Sequence, residues 1–474
     1  MRKRHIISYI EETAGATALC CSFLIGDDLM NERKIRFGTD GIRGEAGREL
    51  LPADAFTLGA CLNEIYGRRL RVAVGMDTRL SSPMLVSALI SGLLSSGCEV
   101  HTLGVLPTPA IAYLTDKLGF DMGIAVTASH NPFGDNGIKL FLCGGEKCPE
   151  SAERRIEEYL SGKRESACAS GIGVGRVYNG ECSVSEYLDF LVSRFSGVGD
   201  GLKVGLDTAN GAAYKTARSV LESVGCRVVA IGDKPNGVNI NRKVGSLHPE
   251  ALCDAVRSRT LDIGFCLDGD GDRCIAIDSD GRVIDGDGIL YALAKRKKIG
   301  GVLKNSTVAA TVTSNGALAS ALASEGIALA VTPVGDKEIF DRMMKDGISL
   351  GAESSGHLID TDIFPIGDGT ATALSILRAM SESGEGLSSL VSGFSPYPSV
   401  SRSVGVKDRN SALLSDAVIE AKMRAEELLG KDGRLLLRAS GTENKIRILA
   451  ECPDGDRCKE AADIIEKALF VSSE

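Results

Sequence analysis

Three aspartates in "CLDGDGDRCIAID" stand at every second position: Asp268, Asp270 and Asp272, with glycines between them and Arg273 directly after. At that spacing they cannot share a helix face, but on a tight loop their carboxylates converge on one point. Three like charges so close repel unless a cation neutralises them. Hard carboxylate oxygens select Mg2+ or Ca2+ over zinc. A Ca2+ loop of the EF-hand kind needs a bidentate glutamate at its last ligand position, and the corresponding residue here is Ser279. A solvated turn is the bland alternative. Arg273 beside the last carboxylate favours a catalytic Mg2+ site.

Four further loops carry chemistry-bearing residues. "LLRASGTENKIRI" places Arg438 at a strand end, then Ser440, Gly441 and Thr442, then Lys445 and Arg447. Hydroxyls, a glycine-opened backbone nest and a guanidinium suit a phosphate, although a plain hairpin turn would read the same way. "GAESSGHLID" sets Glu353, Ser355 and His357 in a glycine-flanked polar loop, a mix of donors and acceptors that suits a sugar. A lone histidine is more often a satisfied core residue. The chain has only 5 histidines, however, and His130 and His357 both lie in such loops. In "FGTDGIRGEAG", Arg43 in a glycine-rich turn beside Asp40 is either a turn residue or a phosphate ligand. In "VTASHNPFGDNGIKLF" an apolar run ends at Ser129, which is either a nucleophile or an ordinary turn residue. Neighbours on an extended chain point to opposite sides, so a Ser129–His130 dyad is not the better reading.

The elements that position these loops repeat. "LRVAVGMDTR", "LKVGLDTANG" and "STVAATVTSNG" each lead through a polar turn into a helical period, a glycine and a second apolar strand. Helical period between β-branched runs predicts βαβ units with parallel strands. Three such units predict three similar α/β domains in tandem. After "SGFSPYPSV" the pattern changes to a small α+β unit, with one antiparallel sheet and two helices over "SALLSDAVIEAKMRAEELL" and "CKEAADIIEKAL". We therefore expect an N-terminal extension (1–29), three α/β domains (30–176, 177–285 and 286–393) with mixed sheets around a central cleft, and a smaller α+β domain (394–474). The Gly393–Val400 linker is the expected hinge.

Composition bounds the partners. A chain of 474 residues is too long for one core. Hydrophobic content of 43% and charged content of 25% are those of a soluble globular protein. A net charge of −9 without a long basic run gives no reason to expect nucleic acid or an anionic membrane as partner. The 14 cysteines form no C-x-x-C, which points to reduced thiols in the cytoplasm. Glu11 and Glu12 interrupt the apolar N-terminal patch, so neither a signal peptide nor a membrane span is expected.

Four motifs occur in one order: "TASHNP", "DGDGDR", "GAESSGH" and "RASGTE". In these and in its layout the chain resembles the α-D-phosphohexomutases, from about residue 34 onward. "FGTDGIRG", "DTANGAA" and "PNGVNIN" are similar to the branch that acts on glucosamine phosphates. Ala352, Ser354, Lys337 and Asn444 depart from that branch's usual pattern. The resemblance implies an isomerase interconverting glucosamine 6-phosphate and glucosamine 1-phosphate. A phosphomannomutase/phosphoglucomutase is the alternative, and a non-catalytic sugar-phosphate binder a more distant one. It implies that Ser129 is a phosphoserine, with a sugar 1,6-bisphosphate as activator and intermediate. Asp268, Asp270 and Asp272 would hold one Mg2+ per subunit together with the Ser129 phosphate. Arg43, Arg273 and Lys139 would surround the transferring group, with Lys139, crowded by cations, or His357 as general acid/base. Glu353 and Ser355 would bind the sugar. Arg438, Ser440, Gly441, Thr442 and Arg447 would clamp the phosphate that is not reacting. A homodimer is the implied assembly.

Overall fold

The computed structural model describes residues 35–38, 41–145, 147–439 and 444–471. The expected extension 1–29, Asp40 and the loop residues Ser440, Gly441 and Thr442 lie outside the described residues.

Each repeated apolar run forms the central strand of a mixed sheet. The first sheet contains β1 (Ile42–Glu45), β2 (Arg71–Met76), β3 (Glu99–Val105), β4 (Met122–Val126), β5 (Asp135–Leu142) and β6 (Arg176–Asn179). The second holds β7 (Lys203–Asp207), β8 (Arg227–Ile231), β9 (Ile263–Leu267), β10 (Cys274–Ile277) and β11 (Val283–Ile284). The third holds β12 (Thr307–Thr311), β13 (Ala328–Thr332), β14 (Leu350–Ala352) and β15 (Leu358–Asp360).

One four-strand order runs through all three: β3-β2-β4-β5, β8-β7-β9-β10 and β13-β12-β14-β15. The central strand pairs parallel with both neighbours, and the fourth strand returns antiparallel. Helices must fill the parallel crossovers. They are Ser82–Ser95 and Thr108–Lys117, Thr216–Ser223 and Glu250–Arg259, and Ala317–Ser324 and Asp336–Asp346. β4 and β9 are covered on both faces and are buried along their whole length, which is why they read as unbroken apolar runs.

The last unit is a three-stranded antiparallel sheet in the order β16 (Ser399–Gly405), β18 (Lys445–Glu451), β17 (Arg434–Ala439), with its own core. Its first helix departs from the expected single run. It is split into Arg409–Leu413 and Asp416–Leu429. Ser415 has extended backbone and opens the second piece, as serine before an acidic first turn favours. The linker is pinned to the third unit. Asn315 Oδ1 accepts from the Tyr397 N–H at 2.9 Å, and its Nδ2 donates to the Tyr397 carbonyl at 3.0 Å. Among the described residues no helix is long and apolar enough to cross a membrane.

Candidate active site

The three chemistry-bearing loops of the α/β units occupy one place in the repeat, the turn between the third strand and its antiparallel partner. "TASHNPFG" joins β4 to β5, "DGDGDR" joins β9 to β10, and "ESSGH" joins β14 to β15. The loops meet: Ser129 reaches Asp268, and Arg273 reaches His357. A Cβ on Gly269 would stand 2.4 Å from the Ser129 carbonyl oxygen, so only glycine allows that approach. Arg273 and His357 form a backbone bridge between the second and third loops.

Ser129 is buried and holds φ +50°, a left-handed conformation costly outside glycine. Its Oγ donates to Asp268 Oδ2 at 2.7 Å. The same twist corrects the expectation that Ser129 and His130 point apart. The chain here is not extended, and Oγ lies 3.3 Å from His130 Nδ1. His130 is nevertheless no base for it. Nδ1 faces Arg273 Nη1 at 3.1 Å, and burial, then the charges of Arg273 and Arg43, push the imidazole down to about 4.

The aspartates converge as their spacing predicts. Their ligand atoms lie within 4.8 Å of one another, and all three residues are buried. Asp268 Oδ1 accepts from the N–H groups of Gly271 and Arg273 at 3.1 and 3.3 Å. Asp270 Oδ2 accepts from Thr108 Oγ1 and Lys139 Nζ, both at 2.8 Å. Asp270 Oδ1 and Asp272 Oδ1 are buried without a hydrogen-bond partner. Burial, then Asp272 and Asp270, pushes the Asp268 carboxyl well above its usual range. Hard oxygens converging in this number, with two of them unsatisfied, fit a divalent cation such as Mg2+.

Lys139 enters differently from the expectation. Its Nζ reaches Asp270 at 2.8 Å and Asp272 at 3.3 Å, so these partners are carboxylates, where the sequence reading had it crowded by cations. The carboxylates come from a different unit, so no local pattern in the sequence announces them. Arg43 pairs with Gly137 across β1 and β5 and stands close enough to lower His130. His357 is brought to the cluster but not to the cavity wall. It is buried against Gly367, with Nδ1 3.7 Å from Asp272 and Nε2 3.8 Å from Asp336. Burial disfavours its cation, but the carboxylates of Asp272, Asp336 and Glu353 outweigh that and push it up to about 9.

A cavity of about 450 Å3 opens from this cluster and draws its wall from all four units. Its lining takes His130 from the first unit, Arg273 from the second, Glu353, Ser354 and Ser355 from the third, and Ser403, Arg438 and Arg447 from the last. Glu353 Oε1 accepts from the Gly335 N–H at 3.1 Å, and Ser355 Oγ lies 3.4 Å from Oε2. Arg438 and Arg447 are direct cross-strand partners on β17 and β18, and Ser403 is the next partner on β16. Two cations directly opposite destabilise a sheet, and an anion between them relieves that.

Two residues that sequence reasoning passed over hold the Ser129 loop. Arg79 is fully buried. It pairs with Asp77 at 2.8 Å and donates to the carbonyls of Ser129 at 3.0 Å, Asn131 at 2.8 Å and Asp135 at 3.0 Å, and also to that of Pro132. Asn241, from the second unit, donates to the carbonyls of Ser129 and Asn131 at 2.8 and 2.9 Å. The available signal for Arg79 was a charged pair, Asp77 and Arg79, closing an apolar strand.

Four units, an acid triad and a serine in one cleft define a class. Domain profiles described as phosphoglucomutase/phosphomannomutase, alpha/beta/alpha domains I, II and III and C-terminal domain, match residues 34–167, 185–281, 285–397 and 404–468 respectively. The chain belongs to that family, the phosphohexomutases. The phosphoglucosamine mutase of Lachnoclostridium phytofermentans is 42% identical over 436 residues, covering 91% of this chain and 97% of the relative. Within the family, this chain stands with the phosphoglucosamine mutases. A phosphoglucomutase/phosphomannomutase family protein from Burkholderia thailandensis shares the fold with a TM-score of 0.75 at 24% identity, over 92% of this chain and 97% of that one. So does the Aspergillus fumigatus N-acetylphosphoglucosamine mutase, solved with GlcNAc-6P and magnesium. Its TM-score is 0.68 at 17% identity, over 94% of this chain and 97% of that one.

Proposed function

We propose that this protein interconverts glucosamine 6-phosphate and glucosamine 1-phosphate, with Ser129 as the phosphoryl carrier. The observation that carries the reading is Ser129 Oγ, 2.7 Å from Asp268 of the triad and 3.3 Å from His130, which lines a cavity shared with Arg438 and Arg447. In the cycle, a sugar hydroxyl oxygen bonds to the phosphorus of phosphoserine 129 as the bond to Ser129 Oγ breaks. The hydroxyl proton leaves to a nearby base. The sugar, now a 1,6-bisphosphate, turns over in the cavity; its other phosphoryl group then bonds to Ser129 Oγ as the sugar O–P bond breaks, and the freed sugar oxygen takes the proton back.

Phosphoryl transfer is mostly positioning and charge stabilisation. Asp268, Asp270 and Asp272, with a phosphoserine oxygen, would hold one Mg2+ per subunit. Bound there, the ion supplies positive charge to the phosphoryl oxygens. Arg273 and Arg43 add cationic charge on the cavity side. Lys139, held by Asp270 and Asp272, is our candidate for proton handling; His357 then supports Asp272 from behind. Glu353 and Ser355 take sugar hydroxyls. Arg438 and Arg447, with Ser440, Gly441 and Thr442, hold the phosphate that is not reacting. One clamp at a fixed distance accepts the sugar in either orientation. The name of the Lachnoclostridium relative supports the amino sugar, and the ligands of the Aspergillus enzyme support a phosphosugar with magnesium. The free cysteines, most of them buried, support a reducing, cytoplasmic setting.

The test is kcat/KM on glucosamine 1-phosphate, glucose 1-phosphate and mannose 1-phosphate, with Mg2+ and a trace of sugar bisphosphate. We expect the amino sugar to be preferred. Equal or higher values for the other sugars overturn the substrate and favour a phosphomannomutase/phosphoglucomutase. Turnover of none of them favours a non-catalytic sugar-phosphate binder.

A further inference from the structure

A second cavity, of about 660 Å3, lies away from the cleft. It is larger than the one lined by His130 and Arg273 and within the range of about 300–1,000 Å3 typical of small-ligand sites. Its walls are the helices Gly286–Ile299 and Gly369–Ser383 and the turn that follows β15. Leu293, Val302, Ile363 and Ala379 make an apolar surface in it.

The charged residues around it are not balanced. Lys297 Nζ holds Asp360 at 2.6 Å and Asp362 at 2.9 Å, and Lys304 holds the other oxygen of Asp362 at 2.7 Å. Those carboxylates are therefore already matched by lysines. Three guanidiniums line the same cavity without such a match. Arg194 and Arg378 donate to the main-chain carbonyls of Asp362 and Arg194, and neither has a carboxylate within 4 Å among the described residues. Arg296 reaches Glu382 only at 3.9 Å, and its buried Nε has no hydrogen-bond partner. Burial disfavours the charged form of Arg378, with Arg194 adding to it and Glu382 and Asp360 only partly offsetting it; its guanidinium stacks on Phe195 at 4.0 Å. An anion bound among these groups would relieve all of this at once.

We propose that this cavity is a second ligand site, which takes a small phosphorylated metabolite. Its phosphate or pyrophosphate group meets Arg194, Arg296 and Arg378, and its less polar body lies on Leu293 and Val302. The site is independent of the reaction assigned to Ser129.

The experiment is a calorimetric titration of the full chain with inorganic pyrophosphate. We expect two classes of site. Arg447→Gln weakens the one in the cleft, and Arg296→Gln weakens the other by about tenfold or more while leaving turnover unchanged. Arg378→Gln should act like Arg296→Gln. Because Arg378 also packs on Phe195, Arg296→Gln, which removes no strong internal bond, decides the matter. One class of site that Arg447→Gln removes and Arg296→Gln leaves intact overturns the proposal, as does the absence of any binding outside the cleft.

Discussion

Arg79→Lys keeps the charge and removes the fork, so it isolates what the guanidinium does for Ser129. The left-handed backbone at Ser129 is opposed by roughly 1–2 kcal/mol and survives only because its surroundings fix it. Arg79 fixes it from below through the four loop carbonyls of Ser129, Asn131, Pro132 and Asp135, while Nε holds Asp77. An ammonium is a point charge with three donors and cannot span those positions. The Ser129 and Asn131 carbonyls keep Asn241 and the Pro132 carbonyl keeps the Asp135 N–H, so the carbonyls are weakened rather than stripped of all partners. We expect a loss of about 1–3 kcal/mol in stability, the range for one buried acceptor left without a donor, because the lysine keeps the charge beside Asp77. Displacing Ser129 Oγ from Asp268 should lower kcat by about 10- to 100-fold. KM should change little, because the distal clamp belongs to another unit. The assay is steady-state kinetics below the melting transition, with circular dichroism to verify the fold. A kcat within about twofold of wild type, with Tm shifted by less than about 2 °C, would refute the positioning role.

Ser129→Ala should abolish most turnover while leaving the melting temperature near wild type, and retained turnover would remove the phosphoserine from the reaction. Excess EDTA should stop transfer and added Mg2+ restore it; activity indifferent to chelation would contradict the reading of the Asp268–Asp272 loop. Asp287 offers a test by pH. Its Oδ2 accepts from Asn315 N–H at 2.7 Å, its Oδ1 has no partner, and burial, then Asp285, pushes it from 3.8 up to about 7. The unfolded chain ionises first, so this group's contribution is full below about pH 3.8 and is lost as pH rises through about 7. Asp287→Asn should therefore gain stability relative to wild type by about 2–3 kcal/mol between about pH 5 and pH 8, measured by urea denaturation. A difference that stays constant or reverses across that range counts against the buried carboxyl.

The sequence carried the repeat because period and strand ends are local properties. Asp268, Asp270 and Asp272 were legible for the same reason, since their spacing alone forces convergence. What it could not carry was any contact between units. Lys139 lies 131 residues from Asp270, and Asn241 lies 112 residues from Ser129. Neither pairing leaves a local pattern. The sign of φ at Ser129 was also illegible, because a left-handed serine looks like any other until its loop is built, and that turn sets His130 beside Ser129 rather than opposite it. His357 looked like a cavity residue because its loop neighbours are. One residue beyond Gly356, the chain has already turned inward to face Asp272.

In the proposed reaction, three copies of one turn take three different duties: phosphoryl carrier, metal holder and sugar reader. The strands beneath them are laid out alike, so each turn is an interchangeable tool head on a common handle. Recutting the Glu353–His357 turn could change which sugar is accepted without disturbing the serine or the aspartates. The fourth unit follows another plan and, in the proposed reaction, holds the phosphate that is not reacting. New specificities can thus be reached by editing a handful of consecutive residues, while the apparatus of transfer is inherited whole.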